Sequence, residues 1–346
     1  MVPPFASRRR RGGGPEKGTA VIGFHASHEQ IDPRALLAAV KHAEEVGFTA
    51  AMCSDHIAPW SVRQGQSGFA WSWLGAALEA TNLPFGVVNA PGQRYHPAVI
   101  AQAIGTLGQM YPGRFWAALG SGENVNEHIT GERWPRKDLR NARLEESVTV
   151  MRALLNGEEV SLEHHVSVDR ARVWSRPETP PPLLAAAVSP QTAGWAASWA
   201  DGLVTVAQPP ETLRRVLDAY EQAGGTGRRA LQVHLSWAGT DEEALAIAHD
   251  QWRSNAFDPP VPWDVDTPET FDEISKHVAA EDLRASVLIN SDLAWHADRL
   301  AGLAALGFDD IYLHHVGKKQ QRFLDAFGER VLPQLAGTLT DKAVRA

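Results

Sequence analysis

Eight times along this chain a short, largely apolar run gives way to an amphipathic, helix-like run. The apolar runs cover residues 20–24, 48–53, 84–88, 115–119, 183–187, 203–206, 231–237 and 310–315. Apart from 231–237, which alternates as Leu-Gln-Val-His-Leu-Ser-Trp, these runs do not alternate apolar with polar, as expected of parallel strands buried on both faces. The segments between them carry helix-start punctuation, with Pro33, Pro97, Ser189-Pro190 and Pro210-Glu211 at first turns. Parallel strands require crossover helices, so eight such units in 346 residues predict an α/β fold, a (β/α)8 barrel. A doubly wound open sheet is the alternative, but no Gly-x-Gly-x-x-Gly follows the first strand, and Gly120-Ser121-Gly122-Glu123 lacks the third glycine.

Two stretches break the period. Residues 157–178 read as a β-hairpin insertion, and residues 254–301, rich in Pro, Asp and Trp, as a loop with one or two helices over the barrel mouth. The expected organisation is a disordered tail at 1–18, one barrel domain at 19–336 and a C-terminal tail at 337–346. Arg8 to Arg11 is not followed by the apolar stretch of an export signal, and no segment approaches the ~20 apolar residues of a membrane span. Cys53 is the only cysteine, which excludes an intramolecular disulfide and a Cys-rich metal site and suggests a cytoplasmic protein. A net charge of -8 argues against sequence-independent nucleic-acid or membrane-surface binding. Of the twelve tryptophans, most are accounted for by core filling, while Trp60, Trp71 and Trp73 are expected to wall a pocket.

In such a barrel the catalytic side chains stand at the C-terminal ends of the strands. The second strand stops at Asp55-His56, and Pro59-Trp60 pins the loop after it. An imidazole there suits proton transfer near neutral pH, with Asp55 to orient it or to meet a cofactor. Glu123 ends the fourth strand behind two glycines that let backbone N–H groups approach a ligand, and Asn126 lies a turn further on. After the fifth strand, Ser189 as N-cap and Pro190 open a helix start suited equally to ordinary capping and to a phosphate. His25, His28 and Glu29 follow the first strand and can line the same rim. At His314-His315 one imidazole should face the mouth and its neighbour the helices. Together with His25 and His56 these histidines define an alternative, a metal-dependent hydrolase. The usual pair of histidines one residue apart on the first strand is missing, so no metal is expected. His164-His165 reads as hairpin surface.

From residue 23 to 335 the chain resembles the luciferase-like monooxygenase superfamily of flavin-dependent barrels, and most closely the branch of deazaflavin (F420)-dependent glucose-6-phosphate dehydrogenase. The landmarks are Ala26-Ser-His-Glu-Gln30, Ser54-Asp-His-Ile-Ala-Pro-Trp60, Arg94-Tyr-His-Pro-Ala-Val-Ile-Ala-Gln102, Tyr111-Pro-Gly-Arg114, Gly120-Ser-Gly-Glu-Asn-Val-Asn-Glu127 and Gln321-Arg-Phe-Leu324. The resemblance implies that His56 is a base for a substrate alcohol, that Trp60 stabilises the charged intermediate, and that Glu123 is the acid beside the ring, with Glu29 a further active-site carboxylate. It also implies that Asp55, Val88, Asn89, Ser121 and Gly122 contact the ring, and that the Val88–Asn89 peptide is cis. Ala187-Val188-Ser189 matches the cofactor-phosphate region, with paired glycines replaced by Ala187-Val188. The stretch Val204-Thr-Val-Ala-Gln-Pro-Pro210 lacks the lysine that holds the sugar phosphate in the dehydrogenase. The expectation is therefore an oxidoreductase using FMN, with F420 as the alternative, on a small organic substrate other than a sugar phosphate. A flavin reductase and a second copy in a homodimer are the expected partners, and a non-catalytic flavin carrier is a further alternative.

Overall fold

The apolar runs are strands, and they close on themselves. The computed structural model describes residues 20–336, so the tails expected at 1–18 and 337–346 lie outside the described residues. The strands are β1 (Val21–Ala26), β2 (Ala50–Ser54), β3 (Phe85–Asn89), β4 (Phe115–Leu119), β5 (Val160–Glu163), β6 (Ser167–Ala171), β7 (Leu183–Ala186), β8 (Gly202–Val206), β9 (Arg228–Ser236), β10 (Leu288–Ile289) and β11 (Asp310–His315). All but β5, β6 and β10 form a parallel barrel in the order β1-β2-β3-β4-β7-β8-β9-β11, closed where β11 pairs with β1. The short β10 lies beside the end of β9, and β5–β6 is the antiparallel hairpin read from residues 157–178.

The helices are α1 (Pro33–Glu45), α2 (Ala70–Ala80), α3 (Pro97–Met110), α4 (Asn124–Glu127), α5 (Lys137–Leu155) and α6 (Pro190–Ala196). They continue with α7 (Pro210–Gln222), α8 (Asp241–Trp252), α9 (Val261–Asp264), α10 (Pro268–Ile274), α11 (Leu293–Ala304) and α12 (Gln320–Ala326). Their starts follow local chemistry. The Asp32 carboxylate accepts from the Arg34 and Ala35 N–H groups ahead of α1, and Ser189 and Thr240 cap α6 and α8 in the same way. None of the described helices is long and apolar enough to cross a membrane.

Inside the barrel, Met52, Trp116, Leu184 and Tyr312 form a plug beneath the mouth. Gly23 and Gly86 make room for it, since a Cβ at either position would collide with the ring of Tyr312 or Trp116. The insertion over the mouth is shorter than residues 254–301. Its helices are α9 and α10, whereas α11 buries Ala297, Leu300 and Ala304 against the barrel and sets His296 on the ring of Phe327. The apolar spacing of that helix separates it from the polar lid segment before it.

Candidate active site

A cavity of about 500 Å³ opens at the C-terminal ends of the strands, a size suited to a cofactor or small ligand. Its lining includes His56, Glu123, Trp60, Glu29, Asp55, Val88, Asn89, Ser121, Gly122, Asn126, Ala187, Val188 and Ser189, the residues read as a site from the sequence. The histidine stands between two carboxylates. Nδ1 of His56 lies 2.6 Å from Oε1 of Glu29, and Nε2 lies 3.5 Å from Oε2 of Glu123. Trp60 packs edge-on against the imidazole at 5.4 Å. Ser27 Oγ donates to the second oxygen of Glu29 at 2.8 Å, which fixes that carboxylate.

These contacts move protons in a definite direction. Burial opposes the charge on Glu29, but the imidazolium of His56 outweighs it and holds the carboxyl at about 2. Burial also works against a charged His56, yet Glu29 and then Glu123 raise its pKa above the ordinary histidine value. Burial, with Glu29 adding repulsion, raises Glu123 against the pull of His56. The trio thus joins an anion, a basic imidazole and a carboxyl that favours its proton, as acid–base chemistry requires.

Asp55 differs from its neighbour. Its carboxylate is fully buried and accepts from Trp71 Nε1 at 3.1 Å, Asn89 Nδ2 at 2.9 Å and the Tyr95 hydroxyl at 3.4 Å, with Arg94 Nη2 at 3.5 Å. Arg94 also donates to the Asp55 carbonyl at 2.7 Å and stands 3.7 Å from Glu127, whose carboxyl burial pushes up to about 7. Asp55 therefore anchors the loop, and His56 alone of the pair turns its reactive atoms to the other carboxylates. Asn126 also positions: its Oδ1 accepts from Ile57 N–H and its Nδ2 donates to Glu123, tying the β2 and β4 loops together.

The floor consists of His25, His234 and His314. His25 stacks on His314 at 4.5 Å, while Trp252 closes on His234 and His314 at 4.7 and 4.8 Å. Burial lowers His25 to about 4 and His234 to about 3, so these rings are neutral. His315 turns outward and stacks on Phe323, as the strand alternation predicts. His25, His56, His314 and His315 do not converge on a common ligand position. Among the described residues the one such trio is Glu146, His164 and His165, on α5 and the hairpin. The metal-hydrolase alternative therefore lacks its ligand set.

Two other expectations are corrected. Trp71 and Trp73 belong to the core, their indoles held by Asp55 and the Pro33 carbonyl, and aromatic walls come instead from Trp60, Trp252 and Trp263. The Val88–Asn89 peptide is trans, the only cis bond among the described residues being Pro259–Pro260. Regular pairing runs through Asn89 opposite Leu119, and no distortion there offsets the ~3–4 kcal/mol of a non-proline cis bond. Arg94, Glu127 and Gln208 stood in recognisable motifs without a role, Trp263 was one of several tryptophans in loop-like stretches, and Lys137, His234 and Trp252 had no local signal. The start of a helix or a tip of the lid announces nothing about which strand end it will face.

An imidazole between two carboxylates at the mouth of a parallel barrel, facing a cavity of cofactor size, is an arrangement suited to an acid–base barrel enzyme. The luciferase-like monooxygenase family model matches residues 16–314, and the chain belongs to that family. It is 34% identical to the F420-dependent glucose-6-phosphate dehydrogenase of Nakamurella multipartita over 91% of this chain and 96% of that one. The corresponding protein of Intrasporangium calvum is 33% identical over 91% and 99%. Among solved structures, an F420-dependent secondary alcohol dehydrogenase in complex with an F420-acetone adduct superposes with a TM-score of 0.84 at 28% identity, covering 92% of this chain and 99% of that one. A type II Baeyer-Villiger monooxygenase component from Pseudomonas putida in complex with FMN shares the fold at TM-score 0.62 and 18% identity, over 91% and 98%. The chain is an oxidoreductase of the flavin- or F420-dependent luciferase-like type.

Proposed function

We propose that the chain is an F420-dependent dehydrogenase that interconverts a small neutral secondary alcohol and its ketone. The observation that carries this is the His56 trio facing a wall, formed by Val204, Thr205, Val206, Ala207, Gln208 and Gln232, that contains no cation. A phosphorylated sugar would place a dianion against that wall without a cationic partner. The curated relatives named above use F420, as does the solved structure at 28% identity. The FMN-bound neighbour, at 18% identity, supports the fold alone, so F420 replaces FMN as the cofactor assignment.

The residues fit a flavin-type ring. Asn89 Oδ1 is buried without a hydrogen-bond partner at the cavity wall, Gly122 has φ +83° where a side chain would crowd Glu127, and Ser189 opens α6 on the same cavity. When bound, the deazaflavin supplies a two-electron hydride acceptor. His56 takes the hydroxyl proton from the substrate, and the Glu29 carboxylate stabilises the imidazolium that results. Glu123, raised by burial, holds or releases a proton on the opposite side of His56. Trp60 and Trp252 wall the reacting groups from water.

The test is a titration of purified protein with F420 and with FMN, followed by turnover with small secondary alcohols and with glucose 6-phosphate. F420 binding and alcohol-dependent loss of its visible absorbance are expected. Binding without turnover on any alcohol would make the chain a carrier, and failure to bind F420 would remove the cofactor assignment. His56→Ala should abolish turnover and keep F420 binding.

A further inference from the structure

Lys137 is an unusual cation. Its Nζ lies 3.0 Å from Ser121 Oγ and 4.8 Å from the Trp263 ring centre, and it lines the cavity at the β4 side. No carboxylate of the described residues pairs with it, and burial together with the neighbouring Arg140 lowers its pKa to about 8. Among the described residues the only other cation on the cavity wall, Arg94, is consumed by Asp55 and Glu127. Arg140 and Arg143 follow on the same face of α5 and line a small recess that shares Ser121 and Gly122 with the main cavity. A half-buried ammonium with only a hydroxyl and an indole for company is stabilised most by an anion supplied from outside.

We propose that Lys137 is an oxyanion-binding residue for the cofactor side chain, taking a phosphate or carboxylate oxygen of F420 beyond the ribityl chain. This rests on the F420 reading above. The cofactor rather than the substrate is assigned because Lys137 stands with Ser121 and Gly122 at the end of β4, while the wall at the end of β8, around Thr205 and Gln208, is cation-free.

The experiment compares dissociation constants, by fluorescence titration, for F420 and for its bare chromophore bearing ribitol but no phosphate or glutamates. Wild type, Lys137→Met and Lys137→Arg are measured, with thermal melts to confirm folding. Lys137→Met should weaken F420 by about tenfold to a hundredfold and leave the bare chromophore within about twofold, with Lys137→Arg keeping most of the affinity. Equal weakening of both ligands, or of neither, overturns the proposal and leaves Lys137 a brace between Ser121 and Trp263. A loss confined to glucose 6-phosphate binding by the F420-loaded enzyme overturns the cofactor assignment of the oxyanion. If wild type binds neither deazaflavin, the F420 reading has failed, and FMN against riboflavin decides Lys137. A phosphate preference lost in Lys137→Met then keeps its oxyanion role, and no preference in wild type overturns it.

Discussion

Nδ1 of His56 sits 2.6 Å from Oε1 of Glu29, and this contact sets the pH range in which the imidazole can act as a base. Burial would lower the histidine pKa, but Glu29 and Glu123 raise it above 6.5. The proposed alcohol oxidation requires neutral His56, so kcat/KM in that direction should rise as pH climbs through the raised value. Ketone reduction requires the imidazolium and should fall over the same range. Glu29→Gln removes the anion that holds the proton, so both midpoints should move to lower pH. pH profiles of kcat/KM for wild type and Glu29→Gln check this, and an unmoved midpoint would refute the assignment of His56 as the titrating base.

Glu123 lies on the other side of the imidazole, with its Oε2 held by Asn126. Replacing it with Gln keeps the size and the hydrogen bond to Asn126 but removes the exchangeable proton. Loss of one acid–base group costs about 10²–10⁴ in rate, so kcat should fall by that order while F420 affinity stays within a few-fold. Stopped-flow reduction of bound F420 separates the two. A variant that turns over normally would leave Glu123 as no more than a wall.

Asp55 is expected to matter for stability rather than for proton transfer. Its carboxylate takes bonds from Trp71, Asn89 and Tyr95 and faces Arg94, all inside the fold. Asp55→Ala leaves Arg94 without one of its two anions and should cost about 3–5 kcal/mol, as for breaking a buried ion pair. Urea unfolding of Asp55→Ala against wild type checks this, and a loss below about 1 kcal/mol would show that Asp55 is not the anchor.

That contrast marks where the sequence was legible. The Asp-His pair at the end of an apolar run located the site, because strand ends in a barrel converge. It could not say which of the two side chains would turn inward, since that depends on Trp71, Asn89 and Arg94 from three other segments. Continuous apolar runs made the strands readable, and Pro, Ser and Thr at helix starts made the helices readable. The reading of 254–301 takes in α11 because the Pro-, Asp- and Trp-rich segment before it does not mark where the barrel helix begins. Trp71 and Trp73 were misplaced for a related reason: an aromatic near a loop reads the same whether it faces a cavity or, as here, the core beneath it.

Gly86 shows the same dependence on distant packing. Inside β3 a glycine weakens a strand, yet here the space above it is filled by the Trp116 ring from β4. Gly86→Ala forces the ring or the strand to move, and overpacking of this kind costs about 1–3 kcal/mol. Since the plug supports the cavity floor, thermal stability should drop before activity does. A variant as stable as wild type would mean that Trp116 has another rotamer available.

The cation-free wall gives the sharpest statement about substrate. Gln208 lines the cavity within the stretch that carries a lysine in the resembling dehydrogenase, and its Nε2 donates to the Val188 carbonyl at 3.0 Å. A neutral amide there offers a phosphate no countercharge, whereas an ammonium would, worth about 1–4 kcal/mol for unit charges ~4 Å apart in surroundings between water and a protein surface. Wild type should therefore use a small secondary alcohol with a kcat/KM at least ~10-fold above that for glucose 6-phosphate, since 1.4 kcal/mol is one decade. Gln208→Lys should raise efficiency with the phosphate ester by about tenfold or more, chiefly through KM, and leave the neutral alcohol little changed. Steady-state kinetics on both substrates decide the matter. If wild type already favours glucose 6-phosphate and Gln208→Lys adds nothing, the charge of this wall does not select the substrate, and the neutral-alcohol assignment falls with it.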